Sequence, residues 1–271
     1  MFLNTKSNQD EVSNVRFVNG VVRFNNVKLN VHCFETDGVL IDTGSQTLAK
    51  EFKSFFAQAD VDQVVITHAH EDHTGGANYL QTEHHLPIFM NEMSIEECAK
   101  RADYPFYRQF FWGRRRPFEA QPIGDTFRSR NANWTVIATP GHAQDHLSFL
   151  NKETGQLFSG DLYVHPKTKV ILREESIPTI ITSIEKTLSY DFGEMFCCHA
   201  GYVKDGRMAL QKKLAYLEEL QEKTVALRKE GYEVREIHAR LFPKKYPITY
   251  FSFGEWNSIH IIRSIVKEEK K

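Results

Sequence analysis

Residues 67–76 of the chain read THAHEDHTGG and set three histidines and an aspartate within six positions. The stretch directly follows an almost continuous apolar run, Gln63–Thr67, which is typical of a buried strand, and it precedes a helical pattern. Neutral imidazole and carboxylate groups are the usual nitrogen and oxygen donors for zinc and similar divalent ions. The concentration of these groups at one strand end therefore predicts a metal site, with the candidate ligands His68, His70, Asp72 and His73.

The spacing of these residues suggests that one loop serves two adjacent metal positions. His68 and His70 lie two residues apart at the end of an extended segment, so their side chains can point the same way. Asp72 and His73 follow at the turn into the helix and reach the site from another direction. Four polar residues on a solvated loop are the alternative interpretation, and the density of histidine argues against it.

Other parts of the chain repeat the arrangement of a hydrophobic strand that ends in one polar residue near a glycine. The strands predicted at Val39–Ile41, Trp134–Thr139, Gln156–Ser159 and Glu194–Cys198 are followed by Asp42, His142, Asp161 and His199. Loops at strand ends of a rigid scaffold are where sites are usually built. Each of these residues alone is typical of a helix cap or a turn. With the histidine cluster upstream, they support one another as members of one site.

The distribution of elements predicts a layered α/β or α+β domain, because strands occur in two groups, each followed by helices. Helices are expected near the C-terminus at Leu210–Leu227, Val234–Phe242 and Glu255–Val266. We expect a main domain over residues 1–230 and a helical C-terminal extension over residues 231–271 that packs on it. No Pro-, Gly- or Ser-rich linker separates the two.

Composition excludes several classes of protein. The chain has 271 residues, and Lys+Arg (34) nearly balances Asp+Glu (35), which argues against a nucleic-acid-coating protein. The four cysteines form no C-x-x-C pair, so a disulfide scaffold is not expected. The N-terminus has no apolar core of a signal peptide, and no run of about 18 apolar residues occurs. We therefore expect a cytoplasmic protein with no membrane or nucleic-acid partner.

Taken in order, these residues resemble the five-motif pattern of the metallo-β-lactamase-fold hydrolases. The likeness spans Val39 to Gly201, and the motif residues are Asp42, His68, His70, Asp72, His73, His142, Asp161 and His199. The resemblance implies an α/β fold, specifically a four-layer αββα sandwich, with a site for two metal ions at one edge of the sheets. The C-terminal helices resemble, in position only, the extension of hydroxyacylglutathione hydrolases. The residues that bind the thiol conjugate in that branch have no clear match.

The resemblance also implies a role for each motif residue. One metal ion would be held by His68, His70 and His142, and the other by Asp72, His73 and His199. Asp161 would bridge the two ions, and Asp42 would orient a ligand or the loop without binding a metal itself. Zinc is the expected metal, with iron or manganese as alternatives.

The implied chemistry is hydrolysis by a water that two metal ions activate. Asp72 and Asp161 are then the expected catalytic carboxylates. The expected substrate is a small ester, thioester or lactone. The alternatives are a phosphodiesterase or nuclease with the same metals, a mononuclear iron dioxygenase that acts on sulfur compounds, and a binding scaffold without catalysis.

Two segments are candidates for contact with a small-molecule substrate. The aromatic and basic segment Tyr104–Arg116 contains Trp112 and Arg114, and it suggests an apolar lid with a cationic edge for an anionic substrate. A helix packed on the core and followed by a solvated basic turn is an equally weighted alternative. Tyr163 and His165 follow Asp161 closely enough to face the same pocket. The sequence leaves open whether the chain forms a homodimer.

Overall fold

Two β-sheets dominate the computed structural model, which describes residues 3–268. The first sheet has seven strands in sequence order, β1 to β7. They are β1 (Asn4–Val12), β2 (Val15–Phe24), β3 (Val27–Thr36), β4 (Val39–Ile41), β5 (Gln63–Val65), β6 (Ile88–Met90) and β7 (Gln121–Pro122). The strands are antiparallel from β1 to β4 and parallel from β4 to β7.

The second sheet has six strands in the order β13-β12-β11-β10-β9-β8. They are β8 (Thr126–Arg128), β9 (Asn133–Ala138), β10 (Leu147–Asn151), β11 (Leu157–Gly160), β12 (Met195–Cys197) and β13 (Gly201–Val203). Only β11 and β12 pair in parallel; the other neighbours are antiparallel.

Helices connect and cover the two sheets. Those of the main body are α1 (Ala49–Phe56), α2 (Glu71–Thr74), α3 (Ala77–Glu83), α4 (Ile95–Cys98), α5 (Phe106–Trp112), α6 (Ile177–Leu188) and α7 (Gly206–Lys229). The C-terminal segment adds α8 (Val234–Leu241), α9 (Pro247–Phe251) and α10 (Ile259–Glu268). None of the helices between residues 3 and 268 combines the length and the hydropathy that a membrane crossing needs.

The sheets pack face to face through aromatic side chains. Phe34 of β3 lies with its ring centroid 5.7 Å from that of Phe158 in β11 and 5.6 Å from that of Phe196 in β12. These three rings are buried in the larger hydrophobic core. Because successive side chains of a strand point to opposite faces, the neighbours Leu157 and Met195 enter a second core, under α6 and α7. The order of layers is therefore helix, sheet, sheet, helix, which confirms the predicted αββα fold class.

The strand β1 was not predicted, and its composition explains why. Its sequence, NTKSNQDEV, is mostly exposed and carries no apolar alternation. It nevertheless pairs over its whole length with β2, from Asn4 opposite Arg23 to Val12 opposite Val15. An edge strand of this kind is held by backbone hydrogen bonds to its neighbour, and its polar side chains discourage further pairing.

The helices after residue 230 pack on the main body, and α10 contributes to its core. Ile261 and Ile265 lie in the same hydrophobic cluster as Ile177 and Ile184 of α6 and Leu217 of α7. The division of the chain at residues 230 and 231 stays a prediction. The charged end of the chain at 269–271 lies outside the described residues.

A close approach of two loops requires a glycine at position 75. A Cβ atom on Gly75 would lie 2.2 Å from the backbone nitrogen of Gln46 and 2.4 Å from the carbonyl carbon of Ser45. The Gly75 backbone N–H instead donates to the carbonyl oxygen of Gly44 at 2.7 Å. This contact fixes α2, which carries two candidate ligands, against the loop that follows β4.

We predict that the C-terminal helices unfold together with the main body. Replacing the fully buried Ile261 by Ala should lower the free energy of unfolding by about 2–5 kcal/mol, since the change leaves a cavity in a shared core. Urea unfolding followed by circular dichroism and by tryptophan fluorescence should give one coincident transition. The exposed substitution Lys267→Ala serves as control. A separate early transition in Ile261→Ala, with the main transition unchanged, would contradict the prediction.

Candidate metal centre

The ends of four strands converge at one edge of the sandwich. β5 leads directly into the segment with His68 and His70, and β11 ends one residue before Asp161. β9 and β12 are followed, within a few residues, by His142 and His199. Because α2 begins immediately after His70, it adds Asp72 and His73 to the same edge. The structure thus brings together all seven residues predicted to bind metal.

The first group of candidate ligands consists of His68, His70 and His142. The Nδ1 atom of His70 lies 3.0 Å from His68 Nε2 and 3.0 Å from His142 Nε2. All three nitrogens lie within 4.8 Å of one another. Three imidazole nitrogens that face a common point form a donor set suited to a divalent ion such as zinc.

The second group consists of Asp72, His73 and His199. The Nε2 atom of His199 lies 3.6 Å from Asp72 Oδ2, and the Nε2 atom of His73 lies 3.8 Å from Asp72 Oδ1. These donors again fit within 4.8 Å of one another. Two imidazoles and a carboxylate form a donor set for a second divalent ion.

Asp161 lies between the two groups. Its Oδ2 atom is 3.3 Å from His142 Nε2 in the first group and 2.9 Å from His199 Nε2 in the second. Its Oδ1 atom is 3.6 Å from His73 Nε2. One carboxylate can therefore reach both candidate positions.

Two buried atoms of the centre test whether the residues fit a metal. His73 Nε2 and Asp161 Oδ1 are inaccessible to solvent and have no hydrogen-bond partner within the described part of the chain. A buried polar atom without a partner carries an unfavourable free energy of about 1–3 kcal/mol. Coordination of a cation would satisfy both atoms, so the residues fit a metal centre.

Electrostatics divides the histidines into two kinds. Burial is the main cause that lowers the pKa of His68 and of His70, so both are neutral near pH 7, which is the state that binds metal. Burial also acts to lower the pKa of His199, but the carboxylates of Asp161 and Asp72 outweigh it and raise that pKa to about 9. Metal binding at His199 would therefore release a proton.

The buried side chain of Asp42 connects the segments at this edge through hydrogen bonds. Its side chain is fully buried and accepts hydrogen bonds from the Thr67 backbone N–H and from His73 Nδ1–H, both at 2.8 Å. The Cys198 thiol donates to it at 3.0 Å. The contact with Nδ1 leaves Nε2 of His73 directed toward Asp72 and Asp161. Asp42 itself has a left-handed φ of 59°, which a non-glycine residue seldom adopts.

Glu175 was missed at the sequence level. Its Oε2 atom lies 3.0 Å from Nδ1 of His142, and since a carboxylate can only accept, Nδ1 carries the proton and Nε2 is free for a metal. Its Oε1 atom accepts from the Leu172 backbone N–H at 2.7 Å. Glu175 lies 33 positions from His142 in a segment without a recognisable motif, so only the tertiary structure identifies it.

A cavity of about 560 Å³ opens over the centre, and this space is called the metal cavity below. His70, Asp72, His142, Asp161 and His199 all line it. Its walls come from the β2–β3 turn, from α5 and from the C-terminal segment around α9, with Lys28, Arg108 and Lys169 as the cationic residues.

Of the four predicted substrate contacts, only one lines the metal cavity. Trp112 lines the metal cavity. Arg114 does not; it is exposed and donates to Gln109. Tyr163 is buried in the second core, and His165 is exposed and accepts from the Lys167 backbone. The chain turns between them at Val164, which has a left-handed φ of 51° and lines the cavity in their place.

The segment Tyr104–Arg116 combines parts of both alternatives considered for it. Phe111 and Trp112 pack in the larger core and line the metal cavity. The cation that this segment contributes to the metal cavity is Arg108, which sequence reasoning did not single out. It donates two hydrogen bonds to the buried Glu71, at 2.7 and 2.6 Å. Arg115 is also buried and donates to the Cys98 carbonyl at the end of α4.

Similarity to known proteins defines the family of the chain. Residues 31–196 match the Metallo-beta-lactamase superfamily. The chain belongs to this superfamily, as the order of its motifs indicated.

Several curated proteins are similar to part of the chain. A "Beta-lactamase-like protein 2 homolog" from Caenorhabditis elegans is 30% identical over 55% of this chain and 47% of its own length. "Thioesterase pkgB" from Emericella nidulans is 31% identical over 45% of this chain and 32% of its own. A "Hydroxyacylglutathione hydrolase" from a Marinomonas species is 30% identical over 45% of this chain and 40% of its own. The matched segments thus span about a third to a half of these curated relatives.

Among solved structures, a beta-lactamase domain protein from Burkholderia ambifaria superimposes with a TM-score of 0.68. Its sequence identity is 16%, and the match covers 97% of this chain and 88% of that one. At this identity the likeness establishes the fold alone.

We predict that Glu175 tightens metal binding through His142. Glu175→Ala should weaken zinc affinity about 10–100-fold, since the imidazole loses the group that orients it. Glu175→Gln should retain part of the affinity, because its amide oxygen can still accept from Nδ1–H. Competition with a chromophoric chelator measures both variants. Glu174→Ala, at the exposed neighbouring position, is the control. Equal affinity in Glu175→Ala and Glu174→Ala would exclude this role.

Proposed function

We propose that the protein is a dinuclear metal-dependent hydrolase that cleaves a small ester, thioester or lactone. The observation that carries the proposal is the position of the Asp161 carboxylate, with Oδ2 3.3 Å from His142 and 2.9 Å from His199. A carboxylate that reaches two separate donor sets is suited to bridge two ions. Zinc is the proposed metal, with iron and manganese as alternatives.

The chain supplies two complete sets of donors. His68, His70 and His142 would hold one ion, and Asp72, His73 and His199 the other. The ions, when bound, would polarise the carbonyl group of a substrate and make an attacking water acidic. Asp42 and Glu175 orient the imidazoles of His73 and His142 through Nδ1, so that the donors do not have to reorganise when the reaction occurs.

The carboxylates of Asp72 and Asp161 are the proposed catalytic groups. Both line the metal cavity, and both have oxygens within 4 Å of imidazole nitrogens of the second donor set. Either oxygen can accept the proton that the attacking water loses. The neighbouring Glu71 carboxylate is engaged by Arg108, so it is not available for this role.

The proposed substrate class is supported by relatives and by the cavity lining. The names of similar proteins include a thioesterase, an "Atrochrysone carboxyl ACP thioesterase" and a hydroxyacylglutathione hydrolase. These names favour acyl transfer to water over phosphodiester cleavage. Lys28 and Lys169 line the metal cavity and would favour a substrate with an anionic group.

We predict that removal of metal abolishes hydrolysis and that zinc restores it. The apoprotein, prepared with a chelator, is assayed on p-nitrophenyl acetate, a thioester, a lactone and bis-p-nitrophenyl phosphate. Acyl substrates should be turned over and the phosphodiester should not. Metal analysis should give about two ions for each chain.

The matched variants are Asp161→Asn and Asp191→Asn, the second at an exposed position on the surface. Asp161→Asn should lower kcat/KM about a hundredfold or more and reduce the metal content, because the amide is a weaker bridge. Asp191→Asn should change neither. An active apoprotein would refute the proposal. Turnover of the phosphodiester alone, or a single iron with consumption of oxygen, would replace it with one of the alternatives.

A further inference from the structure

A second cavity of about 650 Å³ opens directly beside the metal cavity. Asn26, Val27, Tyr107 and Pro247 line both cavities, so the two spaces meet along a shared wall. Besides Asn25, the residues that line the second space and not the metal cavity are all aromatic, and we therefore call this space the aromatic groove: Phe24, Phe106, Phe110, Tyr250, Phe251 and Phe253.

The floor of the aromatic groove is built from packed rings. The ring centroid of Phe110 lies 4.9 Å from that of Phe24 and 5.7 Å from that of Phe251. These residues come from α5, from β2 and from α9. Because three separate elements pack together here, tertiary packing holds the floor of the groove in place.

The rim of the groove exposes aromatic rings to solvent. Phe106 is 78% exposed, Tyr250 65% and Phe253 90%. Of the six large hydrophobic side chains exposed among the described residues, these three border the groove, and a fourth, Val164, lines the metal cavity. Exposed apolar area concentrated at one opening marks a binding surface.

The backbone holds Phe253 in this exposed position at a conformational cost. Its φ of 52° lies in the left-handed region, which a residue other than glycine seldom adopts. The next residue, Gly254, also has a positive φ, of 83°. Phe253 is neither buried in a core nor part of a helix or strand, so packing within the fold does not explain an aromatic residue at this turn.

The linings of the two spaces differ in charge. The metal cavity carries the candidate ligands and the cations Lys28, Arg108 and Lys169. Among the residues that the structure describes, none that lines the aromatic groove is charged. A molecule that extends through both spaces would therefore be polar at the metal centre and apolar beyond it.

We infer that the aromatic groove binds the apolar tail of an acyl substrate whose ester or thioester group lies at the metal centre. The inference rests on the proposed function and narrows its substrate class to medium- and long-chain acyl esters or thioesters. The shared wall and the contrast in charge favour an acyl tail as the occupant of the groove. A second copy of the chain could bind there without any connection between the groove and the metal cavity.

The test compares acyl chain lengths in the metal-loaded protein. The variant Phe106→Ser/Tyr250→Ser/Phe253→Ser removes exposed rings of the rim and leaves the floor in place. The control Met93→Ser/Met208→Ser removes exposed apolar side chains that line neither space. The substrates are the p-nitrophenyl esters of acetate, octanoate and dodecanoate.

The wild-type protein should prefer dodecanoate to acetate in kcat/KM. In the rim variant this preference should fall about tenfold, since the tail loses apolar contact area. The control variant should keep the wild-type preference. Identical preferences in the wild-type protein and the rim variant would overturn the inference and leave the proposed hydrolase intact.

Binding of dodecanoate itself, measured by calorimetry, separates the inference from the proposed function. The wild-type protein should bind it, and the rim variant should bind it about tenfold more weakly. This result in a protein that hydrolyses no ester, thioester or lactone would refute the proposed function and retain the groove. A wild-type dimer that becomes monomeric in the rim variant, with unchanged dodecanoate binding, would instead assign the groove to contact between copies.

Discussion

The metal centre depends on one buried carboxylate, that of Asp42, which ties the edges of both sheets together. It accepts from Thr67 at the end of β5 and from His73 in α2, while the thiol of Cys198, which follows β12 of the other sheet, donates to it. A buried charge is tolerated in a protein only when its hydrogen-bonding capacity is satisfied. The loops that carry the ligands must therefore pack in one arrangement around Asp42.

This constraint explains how a sandwich of short strands supports a precise site. Hydrophobic side chains hold the sheets face to face, as Phe34 does against Phe158 and Phe196, but such packing does not specify where polar groups at the edge should point. Hydrogen bonds supply that direction. Asp42 sets the ring of His73 and Glu175 sets the ring of His142, each through Nδ1, so both present Nε2 to the centre.

Above the centre, elements distant in sequence divide the opening into spaces of different polarity. The metal cavity is lined by charged side chains of both signs as well as by apolar ones, whereas the aromatic groove beside it has no charged lining residue among residues 3–268. The β2–β3 turn, α5 and the C-terminal α9 contribute lining residues to both the metal cavity and the aromatic groove. The C-terminal helices thus contribute to the core, through Ile261, and to the opening, through Pro247.

The sequence by itself determined the candidate ligands, because His68, His70, Asp72 and His73 are local in the chain and the remaining ligands follow apolar strands. The order of its strands and helices predicted a layered α/β or α+β domain, and its resemblance to the metallo-β-lactamase-fold hydrolases implied the αββα class. The sequence did not reveal β1, whose polar residues carry no periodic signal, or Glu175 and Arg108, whose partners lie 33 and 37 positions away. The sequence also suggested Tyr163, His165 and Arg114 as substrate contacts. In the structure Val164 lines the metal cavity instead, and Arg114 donates a hydrogen bond to Gln109. Local patterns identify which groups can bind a metal; only packing between distant segments decides what surrounds them.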